Sequence, residues 1–472
     1  MNMNKVQNGK LYNDVIELVP KGTIFIFYTK SIFIGIWTLI KWLIHVVWSS
    51  IYQAKNKNSE NPDYYDGYHD KPPSILVDNK IGRHSYVKLK GVKLHYVEAG
   101  SQGSPLVLLL HGFPDCWLGW RNQIDELSKF FRVIALDMKG FNDSDKPIWR
   151  QVYTPKKICE ELRQFVFSFG YHTTTIIGHD IGAVIGWFFA HTNPDNIDRF
   201  ICVSASHPNL IWNNLHPKAV INNSWLQFVQ LPLLPEVDHS RSYSNFLEKC
   251  LKTSQAESNS TKTVVSLVRR PSENGFEKGF DVNWLDTYKY VFNRRSDWTG
   301  PFNYYRNFPF YRIKEGCIVR CPVLIITGNA DNFCCLEAMV KSTEYCDNFL
   351  VKIIEGAGHW PHQQVPDEFN KIVLNFLVGR RANSEVRTHV EKNNKGLVGR
   401  MFGAVSSGVK IGSSMLDSMQ QRTNDLHLPY VSILPDRNEM LGNHVKMHLS
   451  PKLSWTIFCR REPDTFEQKA QK

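Results

Sequence analysis

The chain has 472 residues, 42% of them hydrophobic and 21% charged, and carries a formal net charge of +11. Such a composition supports a sizeable buried core and excludes a chain that is disordered throughout, while the length admits one to three domains. The basic excess suits an anionic membrane surface, or simply a basic solvated surface; the cations are dispersed and no zinc-finger spacing or aromatic RNA-binding signature is present, so nucleic acid is not an expected partner.

Residues 1–22 form an N-terminal segment, after which Thr23 to Tyr52 is dominated by Ile, Phe, Trp, Leu and Val. Its stretch from Ser31 to Tyr52 is long enough to cross a bilayer as a helix. Lys41 falls near the middle, at a cost of about 2.5 to 3.5 kcal/mol, offset by about 0.3 to 0.6 kcal/mol for each large apolar residue, with Trp37, Trp42 and Trp48 at the interfaces. The run exceeds the apolar region of a signal peptide and lacks a small-x-small cleavage site. The expectation is a single-pass membrane anchor over 23–52, with a helix lying in the interface as the alternative. Lys5, Lys10, Lys21 and Lys30 before it and Lys55 and Lys57 after it lean towards a cytosolic N-terminus.

Residues 53–80, rich in Asn, Asp, Pro and Tyr, read as a linker. Val87 to Val97 alternates apolar and polar residues around Gly91, the signature of an antiparallel hairpin. Apolar runs at Leu106–Leu110, Val133–Leu136, Thr175–Ile177, Phe200–Val203, Val323–Ile326 and Leu350–Ile354 then read as buried parallel strands. Helical patterns at Trp117–Phe130, Thr154–Phe169, Gly182–His191 and Pro366–Leu377 separate them, so the fold class is α/β with a mostly parallel, doubly wound sheet. The core is assigned to 81–208 and 316–381, and the aromatic insertion 209–315, too long for a loop, to a helical cap over the C-terminal edge of the sheet. Residues 382–472, with Gly-Ser clusters such as Val405 to Gly408, are expected to be a partly disordered extension.

Ten cysteines are dispersed, several in apolar runs, and read as buried thiols. Cys317 and Cys321 lack a second pair at zinc spacing, so no metal is expected.

The strongest local signal is Gly178-His179-Asp180-Ile181-Gly182, which follows a strand and opens a helix. A sharp strand-to-helix turn needs small flanking residues and lifts its central side chain out of the sheet as a nucleophile. Alone, this pentapeptide fits a structural Asp at a helix N-cap better than a nucleophile. His111-Gly-Phe-Pro114, after another strand, can aim the Phe113 N–H beside that of Ile181 as an oxyanion hole, worth about 3 to 4 kcal/mol per donor. The His111 ring is expected to order its own loop. Asp331 follows Gly328 at one strand end and His359 follows Gly356 at the next, giving the order nucleophile, acid, histidine of a hydrolytic triad.

Together, His111–Pro114, Asp137–Ser144, Gly178–Gly182, Asp331 and Gly358-His359-Trp360 resemble the α/β-hydrolase-fold epoxide hydrolases over about residues 82–380, and the anchor is similar to the membrane-bound animal branch. The resemblance implies a carboxylate nucleophile, Asp180, that opens an epoxide to an alkyl ester, a hydrolytic base, His359, oriented by Asp331, and no cofactor. It implies a cap tyrosine as proton donor; Asn303 to Asn307 matches that motif and assigns Tyr305. Trp225, Tyr304 and Trp360 are expected to bind substrate.

Departures accompany the match. Ser224 to Pro232 offers no second tyrosine, so Trp225 stands in through its indole N–H or the role is missing; Ile181 follows the nucleophile where relatives often have Trp; Asn142 replaces a frequent Gly, a swap a left-handed backbone tolerates. The implied substrate is a lipophilic epoxide of a fatty acid or xenobiotic, met with water at an endoplasmic reticulum membrane. A dehalogenase using the same chemistry and a silent binding protein on the same scaffold remain open. Asn142, Asn222 and Asn259 head N-x-Ser/Thr sequons.

Overall fold

The protein is described by a computed structural model over residues 15–55, 71–211, 221–252, 284–378, 446–449 and 454–460. Residues 1–373 with 445–472 make one compact unit and residues 374–444 a second. The linker from 56 to 70, Asn259, and most of the extension after 381, including Val405 to Gly408, lie outside the described residues.

In chain order the elements are β1 (Ile16–Leu18), α1 (Lys21–Lys55), β2 (Arg83–Leu89), β3 (Val92–Ala99), β4 (Leu106–Leu110), α2 (Arg121–Ser128), β5 (Arg132–Leu136), α3 (Pro155–Ser168), β6 (Thr174–His179), α4 (Ile181–Thr192) and β7 (Ile197–Val203). The cap supplies α5 (Asn223–Phe228), α6 (Leu234–Arg241), α7 (Tyr243–Lys252), α8 (Trp284–Val291) and α9 (Ser296–Asn307). The chain then returns through β8 (Tyr311–Ile313), β9 (Val323–Gly328), α10 (Leu336–Lys341), β10 (Asn348–Ile354) and α11 (Pro366–Leu377), and later contributes β11 (Lys446–Leu449) and β12 (Ser454–Arg460).

Ten strands form one sheet in the order β11-β12-β10-β9-β7-β6-β4-β5-β3-β2. The middle six, β5 to β10, run parallel, whereas the β2–β3 hairpin and β12 join antiparallel. All five residues of β4 are buried, as expected of a continuous apolar run covered on both faces. Helix α4 is buried at every position, consistent with an apolar sequence all round. The expected helix from Trp117 opens as a tight turn, Trp117–Trp120, before α2 begins. The two late strands are a departure: part of the segment expected to be a loose extension completes the sheet beyond β10.

The cap sits on the core through close backbone approach. A Cβ added to Gly300 of α9 would lie 2.4 Å from the Gly140 Cα, so both positions require glycine. Lys146 of the core loop reaches Asp297 at 2.6 Å, and within the cap the buried Arg306–Glu236 pair, at 2.7 Å, ties α9 to α6.

The apolar N-terminal stretch is helical as expected, and its portion Lys21–Ile44 has the length and composition to cross a membrane. It does not stand apart from the body. β1 pairs antiparallel with β8, Val19 N–H donates to Phe310 O at 3.0 Å, and α1 then runs along the cap. Phe27 and Tyr28 pack on Phe310 with ring centroids at 5.5 Å, Gly35 lies against Leu231, and the Trp42 indole donates to Asp238 Oδ1 at 3.1 Å.

Candidate active site

The chemistry centres on the step from β6 into α4. Asp180 occupies that step with φ 48° and ψ −118°, and its N–H donates to Val203 O at 3.0 Å. The turn closes because its flanks are glycines: a Cβ on Gly178 would meet Gly182 O at 2.5 Å, and one on Gly182 would meet Leu110 O at 2.3 Å. Asp180 caps no helix with its side chain. Instead the carboxylate rises into the space under the cap, where Phe113 N–H donates to its Oδ2 at 3.0 Å and the Ile181 N–H acts on it as well. Burial raises the carboxyl above its ordinary range, against the opposing effects of His359 and these two amides.

His359 follows β10 on the adjacent loop, and its Nδ1–H donates to Asp331 Oδ2 at 3.0 Å, which leaves Nε2 as the basic nitrogen. Asp331 is fixed in turn by the N–H groups of Phe333 and Cys334, at 2.8 and 2.9 Å to Oδ1. Phe333 stacks on the imidazole, with centroids 4.6 Å apart. Burial lowers the basicity of His359, but the charge and hydrogen bond of Asp331 and the charge of Asp180 outweigh it, and the net shift is upward. Asp331 and His359 are thus joined by a hydrogen bond, and the charge of Asp180 acts on the His359 ring.

From the cap, the Tyr305 phenol reaches Asp180 Oδ2 at 3.5 Å. Burial and the nearby carboxylate push it well above its ordinary range, so the phenol is held protonated. Gln230 Nε2 donates to the Tyr305 carbonyl at 2.9 Å and steadies that stretch of α9. The Phe113 ring lies at the centre of an aromatic enclosure formed by Trp225, Phe246, Phe292, Trp298, Phe302 and Tyr305, with centroids between 5.6 and 6.2 Å away.

Two expected substrate contacts differ. The Trp225 ring does pack edge-on against Tyr305 at 5.0 Å, but its indole N–H donates to His239 Nε2 at 3.0 Å, so it does not replace the absent second tyrosine as a donor into the site. Tyr304 turns the other way, donating to Lys139 O at 2.9 Å beside Phe141 and Tyr153; neighbours on a helix project about 100° apart, and only one of the pair faces Asp180. Trp360 packs edge-on to His359 at 4.8 Å.

His111 orders its loop, bonding Gly112 O through Nδ1 at 2.8 Å and accepting Met138 N–H on Nε2 at 3.1 Å. Asn142 holds φ 38° and donates to Asp137 Oδ2 at 2.8 Å. Sequence reasoning passed over His179, although it stands inside the elbow motif: its Nε2 bonds the His359 carbonyl at 2.8 Å and so sets the height of the base loop. Asp137, which the sequence offered only as the head of a matching motif, has a buried pairing with His95 at 2.7 Å and accepts Trp117 N–H at 2.9 Å, anchoring the start of the Trp117–Trp120 turn.

Among the described residues one group brings ligand-type atoms within 4.8 Å of one another, Asp115, His179 and His362. Its carboxylate already accepts from Cys116 N–H, the Tyr288 phenol and Gln363 Nε2 at 2.8, 2.8 and 3.0 Å. Burial pushes that carboxyl up to about 7, and the Arg121 guanidinium acts on both Asp115 and His362, so a cation there would meet a fixed positive charge. All nine cysteines with described side chains are free thiols, six of them buried.

Residues 105–364 match the α/β hydrolase fold family. The chain is 34% identical over 314 residues to epoxide hydrolase 4 of Homo sapiens, covering 65% of this chain and 82% of that protein. It is 31% identical over 311 residues to epoxide hydrolase 3 of Xenopus tropicalis, covering 65% and 80%. Among solved structures, a Vigna radiata epoxide hydrolase mutant superposes with a TM-score of 0.52 at 24% identity, over 63% of this chain and 99% of that one, a likeness of fold.

Proposed function

The chain belongs to the α/β-hydrolase fold family, in its epoxide hydrolase branch, and from that premise we propose that it converts lipophilic epoxides to vicinal diols through an ester on Asp180. The observation that carries the mechanism is the pair of donors on one oxygen of that carboxylate, Phe113 N–H at 3.0 Å and the Tyr305 phenol at 3.5 Å. With Oδ2 held, Oδ1 is the oxygen that attacks an epoxide carbon; the C–O bond breaks and the alkoxide takes the Tyr305 proton. His359 Nε2 then removes a proton from water, and the hydroxide adds to the ester carbonyl carbon while the Phe113 and Ile181 N–H groups hold the oxyanion. Collapse breaks the ester C–O bond, the departing alkoxide takes the proton held by His359, and the proton left on the Asp180 carboxyl passes to the Tyr305 phenolate, so one epoxide and one water give one diol and every group is restored.

Halide release would want side-chain N–H donors at the site, whereas Ile181 offers none and the Trp225 indole is engaged with His239. The aromatic enclosure supports a lipophilic substrate of the fatty-acid or xenobiotic kind. Attachment to a membrane through α1, at the endoplasmic reticulum, completes the proposal.

Diol formation from styrene oxide and from a fatty-acid epoxide tests it. Asp180→Ala should abolish turnover, His359→Gln should stop after one equivalent with substrate mass retained on the Asp180 peptide, and Tyr305→Phe should slow alkylation by about 10²-fold. Wild-type turnover in Asp180→Ala, or halide release without diol formation, would overturn the reading.

A further inference from the structure

The segments on either side of the candidate span rest on the same body. Upstream, Ile16, Glu17 and Leu18 pair with Ile313, Arg312 and Tyr311 of β8, and Lys314 N–H donates to Val15 O at 2.9 Å. Downstream, the chain packs Ile75 and Leu76 into the body and enters the sheet at β2. One crossing would set these flanks about 30 Å of hydrocarbon apart. It would also surround Phe27, Tyr28, Ser31, Gly35 and Trp42 with lipid, yet these are the residues seated on the cap, Ser31 without exposure.

The opposite face of α1 remains uncovered and apolar: Phe25 is 73% exposed, Phe33 67%, Leu43 65% and Trp48 71%. The body extends that surface. Leu233, 65% exposed, follows the Leu231 that packs on Gly35, and Trp149, 66% exposed, precedes the Arg150 that bonds the Tyr28 phenol. Exposed Lys21, Lys30 and Lys41 accompany this surface, and Arg241 stacks on Trp42 at 5.1 Å. Lys41, which would be costly at the centre of a span, here faces the Asp238 carboxylate together with Arg241. An apolar strip accompanied by cations is the chemistry of a helix lying at an anionic lipid surface.

We infer that α1 lies in the plane of the membrane, its inner stripe seated on the cap and its outer face in one phospholipid leaflet, so that the residues before and after it share one side. The inference rests on the membrane attachment proposed above and replaces a single crossing with an in-plane seat.

The test uses the full chain in sealed microsomes, with one epitope ahead of Met1 and another after Lys472, exposed to protease with and without detergent. Both epitopes should be digested together or protected together; one digested and the other protected overturns the inference. In a second arm, Phe33→Glu combined with Leu43→Glu should move the protein from the membrane pellet to the supernatant with an unchanged thermal midpoint. Full retention of that variant in the pellet would count against the outer face as the lipid contact. Neither readout depends on turnover, so failure here would leave the hydrolytic reading intact, and loss of activity would leave this one intact.

Discussion

At Asp180 the backbone adopts φ 48°, a conformation that costs a non-glycine residue about 1 to 3 kcal/mol and persists because the Val203 hydrogen bond and the two glycine contacts leave no alternative. The same residue scale sets the pH response. In the proposed reaction His359 acts as a base only when neutral, and in the unesterified site, despite burial, Asp331 and Asp180 shift its proton affinity upward from the ordinary imidazole value. Hydrolysis of the ester should therefore decline as pH falls through the His359 midpoint, which Asp331 holds up and to which the esterified, uncharged Asp180 no longer contributes. Replacing Asp331 by Asn removes the principal upward cause, so the acidic limb should move to lower pH. The rate at its plateau should drop by about 10³- to 10⁴-fold, because Nδ1 loses the acceptor that fixes its tautomer. Single-turnover ester hydrolysis followed from about pH 5 to 9 measures both, and an unmoved limb in Asp331→Asn would separate this pair from the base function.

At the scale of elements, the elbow is held by backbone against backbone rather than by flexible side chains. Gly182→Ala would drive a methyl to 2.3 Å from Leu110 O and 2.6 Å from His111 O, contacts that no rotamer relieves. Urea unfolding should show a loss at or beyond the upper end of the ~1–3 kcal/mol typical of overpacking, whereas Gly103→Ala, with open space around it, should be nearly neutral. Equal stability of the two variants would contradict this account. The elbow was legible in the sequence because small residues at a strand-to-helix step are a local requirement, and β4 and β9 were legible because burial on both faces leaves unbroken apolar runs. The orientation of Tyr304 against Tyr305 was not, since it depends on how α9 is rotated over the Gly140–Gly300 contact. Nor was the engagement of Trp225, whose partner His239 lies on another helix. Strands β11 and β12 escaped notice because β12 takes its place by pairing with β10, far away in the chain, and β11 by pairing with β12.

Across the whole molecule, that distant pairing closes an edge. β10 is hydrogen-bonded to β9 on one side and, through seven register positions, to β12 on the other. Ending the chain before residue 445 would bare one side of β10, and an unpaired strand edge recruits other chains. Light scattering after size exclusion should show concentration-dependent association of such a truncation, and a monodisperse product would assign β12 no protective part. The aromatic enclosure around Phe113 has its own consequence at this scale. In the proposed reaction a lipophilic epoxide would pass from bilayer to these aromatic side chains, one oily surrounding for another, so little of the free energy of leaving water would be gained at the site itself. Partitioning into lipid would concentrate such molecules before any encounter, leaving the site to select them by shape and by where their oxygen sits relative to the Tyr305 phenol.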